Sequence, residues 1–455
     1  MIRISDVKPL GSGGGVAKRV VAKPAKAPVK TKSAIADDAP AAAALTALLE
    51  DAVKAAATTV HIEPQGNDLH VRYRIDGLLR EGRELKGLSI ATLAQRVKLL
   101  ANLDIQEDRV PQDGRFETAI AGKKFVVRSS LLPVADGEKV VLHLADQSNA
   151  PHDLERLGYW GHSLQALTDA MEHTHGLVVV GGPADAGKTA TLYGLMHMAA
   201  HPTRNLATVE DAIEHRVPGL NQTPVNIKAG MTYASALRAV LQQDPNVVMV
   251  SELRDPETTD MAVHAGLAGR LVIAGMSTHD IAATVAHIVT MRVEPYLLAS
   301  ATRAIANQRL VRRLCQECRV GYKPDADEFA TACAATGLNH DGALSHIAEL
   351  EKTAAAEFGI KTNGALVGGK VAKLWRAREG GCDACGGTGY KGRVAIAEVL
   401  TMSPAIQKLV FSAAGPEALY DRAVAEGMVP MPLDGLVKAT LGMTSLSEVL
   451  RVATV

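Results

Sequence analysis

The chain has 455 residues, room for two to four domains. Lys plus Arg and Asp plus Glu each number 49, so there is no basic surplus of the kind that wholesale nucleic-acid binding needs. Aromatic residues are 3% against 47% hydrophobic, so the core is aliphatic, and five cysteines do not make a disulfide scaffold.

Residues 1–40 read as a disordered tail of Gly, Ala, Lys, Pro and Val, too poor in apolar bulk to offset ordering entropy. The basic start lacks the apolar core of a secretory signal, and no apolar run reaches 18 residues. The expected compartment is the cytoplasm. Ala41 to Ala57 carries Leu45, Leu48, Leu49 and Val53 at helical spacing. Strand-like segments follow at 60–63, 69–75, 124–128 and 139–144, with a helix-like stretch from Ile90 to Leu103. Residues 41–146 are thus read as a small α/β domain, and 147–155 as a polar linker. From 156 to 309 strands alternate with helices, which implies βαβ units and a parallel sheet. Residues 310–395 carry cysteines around a helical insertion, and 396–455 read as helical.

The strongest motif is Gly182-Pro183-Ala184-Asp185-Ala186-Gly187-Lys188-Thr189, which fits the phosphate-loop pattern G-x-x-x-x-G-K-[ST]. An apolar strand precedes it, and a helix follows from Ala190. Glycines let backbone N–H groups turn toward phosphate oxygens, and the helix start adds positive dipole. Lys188 would reach the β- and γ-phosphates of ATP, and the Thr189 hydroxyl would hold Mg²⁺. A second apolar strand, read over Asp244 to Glu252, ends in Glu252, placed for a general base or water-positioning group. Glu210 and Asp211 end a third strand. They are candidates for metal or water positioning, with a solvated acidic pair as the alternative.

Cys315 and Cys318, with Cys382 and Cys385, form two C-x-x-C pairs. Each pair offers two thiolates, and together they complete a tetrahedral, structural Zn²⁺ site. Cys333 is read as a free structural thiol in the insertion, Phe329 to about Lys361.

In this order the pieces resemble the hexameric secretion ATPases of type II secretion and type IV pilus assembly, the GspE/PilB family. The resemblance runs from about residue 55 to the end. It rests on Arg72-Tyr73-Arg74-Ile75-Asp76-Gly77, Pro111-Gln112-Asp113-Gly114-Arg115, Glu210-Asp211, Glu252-Leu253-Arg254-Asp255, Gln308-Arg309-Leu310 and Gly387-Thr388-Gly389-Tyr390-Lys391-Gly392-Arg393. It implies a RecA-like P-loop NTPase domain, a smaller PAS-like α/β N-terminal domain and a tetracysteine zinc subdomain. It also implies a homo-hexamer acting on an inner-membrane platform protein, peripheral to the membrane through its partners, with no specific nucleic-acid ligand. Arginines of the N-terminal domain reach the phosphates in that family, and here those are Arg72, Arg74 and Arg115, with Arg128 as a further candidate. A non-hydrolysing scaffold of the same machine and a DNA-transfer motor are the rival readings.

Departures from the family cluster in the chemical motifs. The family loop reads G-P-T-G-S-G-K-T, so Asp185 stands where glycine is usual. Ser251 also replaces a glycine. In the histidine box the expected His is Ser277, with His279 two residues on. In extended backbone positions 277 and 279 face one side, so His279 is either a partial substitute or a plain loop histidine.

Overall fold

The computed structural model describes residues 39–453 apart from 67, 86, 148–152, 326–327, 329–330, 332–333, 335–342, 361–365, 368–369 and 372. Residues 1–38 of the expected tail, most of the expected linker and Cys333 lie outside the described residues.

An antiparallel six-stranded sheet opens the fold. Its strands are β1 (Ala57–Gln65), β2 (Asp68–Ile75), β3 (Leu78–Glu81), β4 (Gln112–Ile120), β5 (Lys123–Val134) and β6 (Gly137–Asp146), in the order β3-β2-β1-β6-β5-β4. Helices Ala39–Lys54 and Ile90–Leu100 cover one face. Leu45, Leu48, Leu93 and Val97 pack there on Val60, Ile62, Val71, Val127 and Leu142. Strand alternation sends Arg72, Arg74, Arg128 and His143 to the other, helix-free face. Sequence periodicity reveals β1, β2, β5 and β6 but not β4, whose sequence lacks an apolar alternation. Gly114 is needed inside β4 because a Cβ there would lie 2.9 Å from the Ala101 Cβ.

The second sheet holds β7 (Gly176–Gly181), β8 (Leu206–Glu210), β9 (Leu220–Pro224), β10 (Val247–Val250), β11 (Leu271–Met276), β12 (Thr302–Leu314) and, after four short strands, β17 (Tyr390–Thr401). The short strands are β13 (Val320–Tyr322), β14 (Leu366–Val367), β15 (Lys370–Val371) and β16 (Leu374–Arg376). The large sheet runs β17-β12-β7-β11-β10-β8-β9. Every pairing in it is parallel except β12 with β17. Both faces are buried, which is why β7, β10 and β11 are continuous apolar runs rather than alternating ones. Helices Gly161–Glu172 and Lys188–Ala199 pack on one face, and Tyr233–Leu241, Pro256–Leu267 and Ile281–Thr290 on the other. The fold is α/β. One strand, β11, stands between the phosphate-loop strand β7 and the Glu252 strand β10, as the RecA-like reading expects.

The sheet does not stop at residue 309. β12 continues to Leu314 and delivers Cys315, while β17 starts just past Cys385, so the cysteines cap the end of the β12–β17 ladder. Helix Leu446–Ala453 docks on the same ladder. Its buried Glu448 accepts from Arg312 at 2.7 Å and from Arg451 at 2.8 Å. Burial opposes ionisation of Glu448, but the two guanidinium bonds prevail and hold its carboxyl at about 2.

Candidate active site

The parallel strands deliver their functional residues at their carboxyl ends, the usual ligand edge of such a sheet. β7 leads into Gly182 at φ +155°, and Gly187 at φ +85° turns the chain into helix Lys188–Ala199. Both angles lie where a side chain is strained, so both glycines are required by the backbone. The first N–H groups of that helix have no partner within it and face the loop, which makes an anion cradle.

Lys188 closes the cradle. Its Nζ donates to the Gly182 carbonyl at 2.7 Å, the Pro183 carbonyl at 2.9 Å and the Ser277 Oγ at 3.3 Å. Burial pushes the amine below its usual value, and Glu252 and Asp185 pull it back. Ser277 in turn donates to Glu252 Oε1 at 2.5 Å, and Arg254 Nε donates to Glu252 Oε2 at 2.6 Å. Burial opposes ionisation of Glu252, yet the bonds from Ser277 and Arg254 outweigh it and hold the carboxyl below the usual range. Lys188, Ser277 and Glu252 therefore form one continuous chain at the mouth of the loop. The serine that replaces the family histidine makes both links. Ser277 and His279 are exposed and Thr278 is buried, and the chain bends at His279 and Asp280. Ser251, another departure, ties the neighbouring strand end in place. Its Oγ accepts from the Asp211 N–H at 3.3 Å and lies 2.8 Å from the Tyr233 hydroxyl.

Glu210 and Asp211 point to different places. Glu210 is 1% exposed and accepts from Tyr193, from Thr208 at 2.5 Å and from Gln222 at 3.1 Å, so its oxygens are consumed inside the domain. Asp211 faces the helix-free side of the first sheet, where Arg128 reaches it at 3.2 Å. Arg74, Thr59, His143, Arg128 and Arg115 are successive cross-strand neighbours, a row across that face. Withdrawal from water and the charges of Arg128 and Arg74 hold His143 below its usual value, while Asp185 of the phosphate loop pulls it upward. Arg74 and Arg128 thus act on His143 from its own sheet, and Asp185 acts on it from across the cleft. Arg72 is not in that row. It is spent on Glu63, at 2.6 Å. Further bonds join the domains, Arg216 to Glu117 at 3.2 Å and the Gly392 N–H to Asp76 at 3.1 Å.

Asp185 sits at φ +60° in the loop, the left-handed region that suits the glycine usual in the family. Its exposed carboxylate also adds negative charge where phosphates would lie. Asp185→Gly removes both penalties. We expect nucleotide affinity to rise roughly 10-fold, since about 1–2 kcal/mol of repulsion toward phosphate is relieved, whereas the strain is relieved in free and bound loop alike and shows as added stability. Titration with a fluorescent ATP analogue reads the change, and unaltered affinity would show that the carboxylate is not felt by the phosphates.

The cysteine pairs meet as their spacing predicts. The four sulfur atoms of Cys315, Cys318, Cys382 and Cys385 lie within 4.8 Å of one another. Neighbouring Sγ atoms are 3.7–3.9 Å apart, too far for disulfides. Four sulfurs at about 2.3 Å from a central Zn²⁺ would stand about 3.8 Å apart, so the donor set fits that ion. N–H groups of Cys382 and Gly389 point at the Cys385 sulfur at 3.2 and 3.1 Å. Against the cost of burial, these bonds bring that thiol down to about 6.

Comparison with known proteins agrees with this geometry. The chain is 37% identical to the type II secretion system ATPase E of Vibrio cholerae over 420 residues, covering 91% of this chain and 76% of that protein. It is 36% identical to the type IV pilus assembly ATPase PilB of Thermus thermophilus over 394 residues, 87% of this chain and 41% of that one. Its fold matches the crystal structure of the Legionella pneumophila ATPase DotB with a TM-score of 0.60 at 16% identity, over 95% of this chain and 98% of that chain. The type II/IV secretion system protein family matches residues 34–451, and the chain belongs to that family.

Proposed function

We propose that this chain is a P-loop ATPase that couples ATP hydrolysis to assembly of a pilus or pseudopilus, or to type II secretion. The observation that carries the reading is the Lys188–Ser277–Glu252 chain at the mouth of the phosphate loop. The loop N–H groups and Lys188 bind the phosphates. Glu252, held ionised, orients the attacking water and accepts its proton. Thr189 is the residue that would hold Mg²⁺, which offsets phosphate charge when bound. Arg128, with Arg74 and Arg115, supplies positive charge from across the cleft. Glu210 supports the strand end, and Asp211 is the acid nearer the arginine row.

The relatives' names support the secretion or pilus role. The homo-hexamer and the inner-membrane platform protein as its partner are part of the proposal and follow from the family resemblance. No helix among the described residues is long and apolar enough to cross a membrane. The proposed placement, peripheral to the inner membrane through partners on its cytoplasmic side, follows from the family resemblance. The four cysteines would hold a structural Zn²⁺, since four thiolates would leave it no open position for chemistry.

Steady-state ATP hydrolysis by the purified, zinc-replete protein tests the proposal. Turnover that disappears in Lys188→Ala and on chelation of Mg²⁺ is the expected result. Mg·ATP binding without turnover, at concentrations that form rings, would instead favour a non-hydrolysing component of the same machine, the reading that Asp185 and the altered histidine box suggest.

A further inference from the structure

The phosphate loop has a support on its inner side. β12 runs parallel to β7 with Ala306 opposite Val180 and Asn307 opposite Gly181. The next residue, Gln308, is 1% exposed, a buried amide in an otherwise largely apolar strand centre. Its Nε2 donates to the Ala186 carbonyl at 2.8 Å. Its Oε1 accepts from Thr191 Oγ1 at 2.7 Å and from the buried Tyr159 hydroxyl. A carbonyl can only accept, so the Ala186 contact fixes which way the amide faces, and the two hydroxyls satisfy its oxygen. The loop also lies against Gln308 at both ends. A Cβ on Gly182 would stand 2.7 Å from the Gln308 carbonyl, and one on Gly187 would stand 3.2 Å from Nε2.

A planar trans peptide points its C=O and N–H in opposite directions. With the Ala186 carbonyl pinned inward, the Gly187 N–H is aimed outward, into the cradle. Gly187 has the conformational freedom to let that peptide turn over, which would aim a carbonyl oxygen at the phosphates instead. We propose that Gln308 is a positioning residue for nucleotide: it holds the Ala186–Gly187 peptide in the orientation that binds phosphate, with Thr191 and Tyr159 holding Gln308. This inference rests on the reading of the loop as a nucleotide site.

Two variants test it by equilibrium titration of Mg·ATP and Mg·ADP, with melting of the nucleotide-free protein measured alongside. Gln308→Leu keeps the bulk and removes the bond; nucleotide affinity should fall 10-fold or more. Gln308→Glu should bind poorly at pH 8, where a carboxylate opposes the Ala186 carbonyl. Its affinity should recover as the pH is lowered and the neutral acid donates in place of the amide, beyond any change in wild type. A residue that merely fills space would not produce that pH-dependent recovery. Should Gln308→Leu fail to fold, Thr191→Val takes its place; it removes one of the two donors, and an affinity loss of about 3-fold is expected. Folded variants with wild-type affinity, or a Gln308→Glu defect independent of pH, would overturn the proposal. A wild-type protein that binds no nucleotide would overturn the nucleotide reading as well, so the two failures are distinguishable.

Discussion

Glu252→Gln should bind Mg·ATP about as tightly as wild type and hydrolyse it roughly 10²–10⁴-fold more slowly, the range over which a positioned general base contributes. The amide fills the same space. It can still meet Ser277, whose hydroxyl both donates and accepts, and can keep one oxygen for Arg254. What it lacks is the charge that orients water and the lone pair that accepts the proton. Lys188→Ala should behave in the opposite way, losing binding first, because the ammonium stands at the loop carbonyls where phosphate oxygens would compete for it. A KM-against-kcat comparison of the two variants separates these roles. Wild-type turnover in Glu252→Gln would remove Glu252 from the chemistry and leave Asp211 as the remaining acid near the arginine row.

The phosphate loop, the Glu252 strand and the cysteine pairs were legible in the sequence because each is local. The loop is eight consecutive residues, β10 is a short apolar run, and each C-x-x-C is one turn. Residues brought together by tertiary packing were not legible. Nothing in the spacing puts Ser277 between Lys188 and Glu252, since those three residues come from different strand ends. Arg72 and Arg74 are two residues apart and face the same side of β2. Only the cross-strand register shows that Arg74 shares a row with Arg128 and Arg115, while Arg72 meets Glu63 one row away. Glu210 and Asp211 are neighbours in sequence, and the end of β8 sends one inward and the other to the cleft. The polar pair Asn307-Gln308 inside β12 was a signal available from the chain alone. Buried amides in a strand need partners, and those partners proved to be the phosphate loop and the Thr278 hydroxyl.

Asp434→Ala is expected to be the most destabilising single change in the carboxyl-terminal region. Asp434, 2% exposed on helix Met431–Thr440, accepts from Trp160 Nε1, from the Ala397 N–H at 2.8 Å and from Lys438 Nζ at 2.6 Å. Lys438 is fully buried, and its other partner is the Ala395 carbonyl at 2.8 Å. Burial already pushes the Lys438 amine below its usual value, and Asp434 offsets that push. Removing the carboxylate strands a buried ammonium and two N–H donors. Breaking such a pair typically costs about 3–5 kcal/mol. In a domain of this size that is a fall in Tm of roughly 5–8 °C, read by calorimetry. Asp434→Leu combined with Lys438→Met removes both charges and should recover part of the loss, because an apolar pair replaces a buried ion pair at little cost. The Trp160 and Ala397 donors set the part that is not recovered. A single variant within 1 °C of wild type would mean that Lys438 sheds its proton at no cost. The pair sits against β17, which ladders onto the strand carrying Gln308, and Trp160 is chain neighbour to Tyr159. The same variant should therefore weaken nucleotide binding as well as stability, whereas loss of stability alone would confine the network to packing.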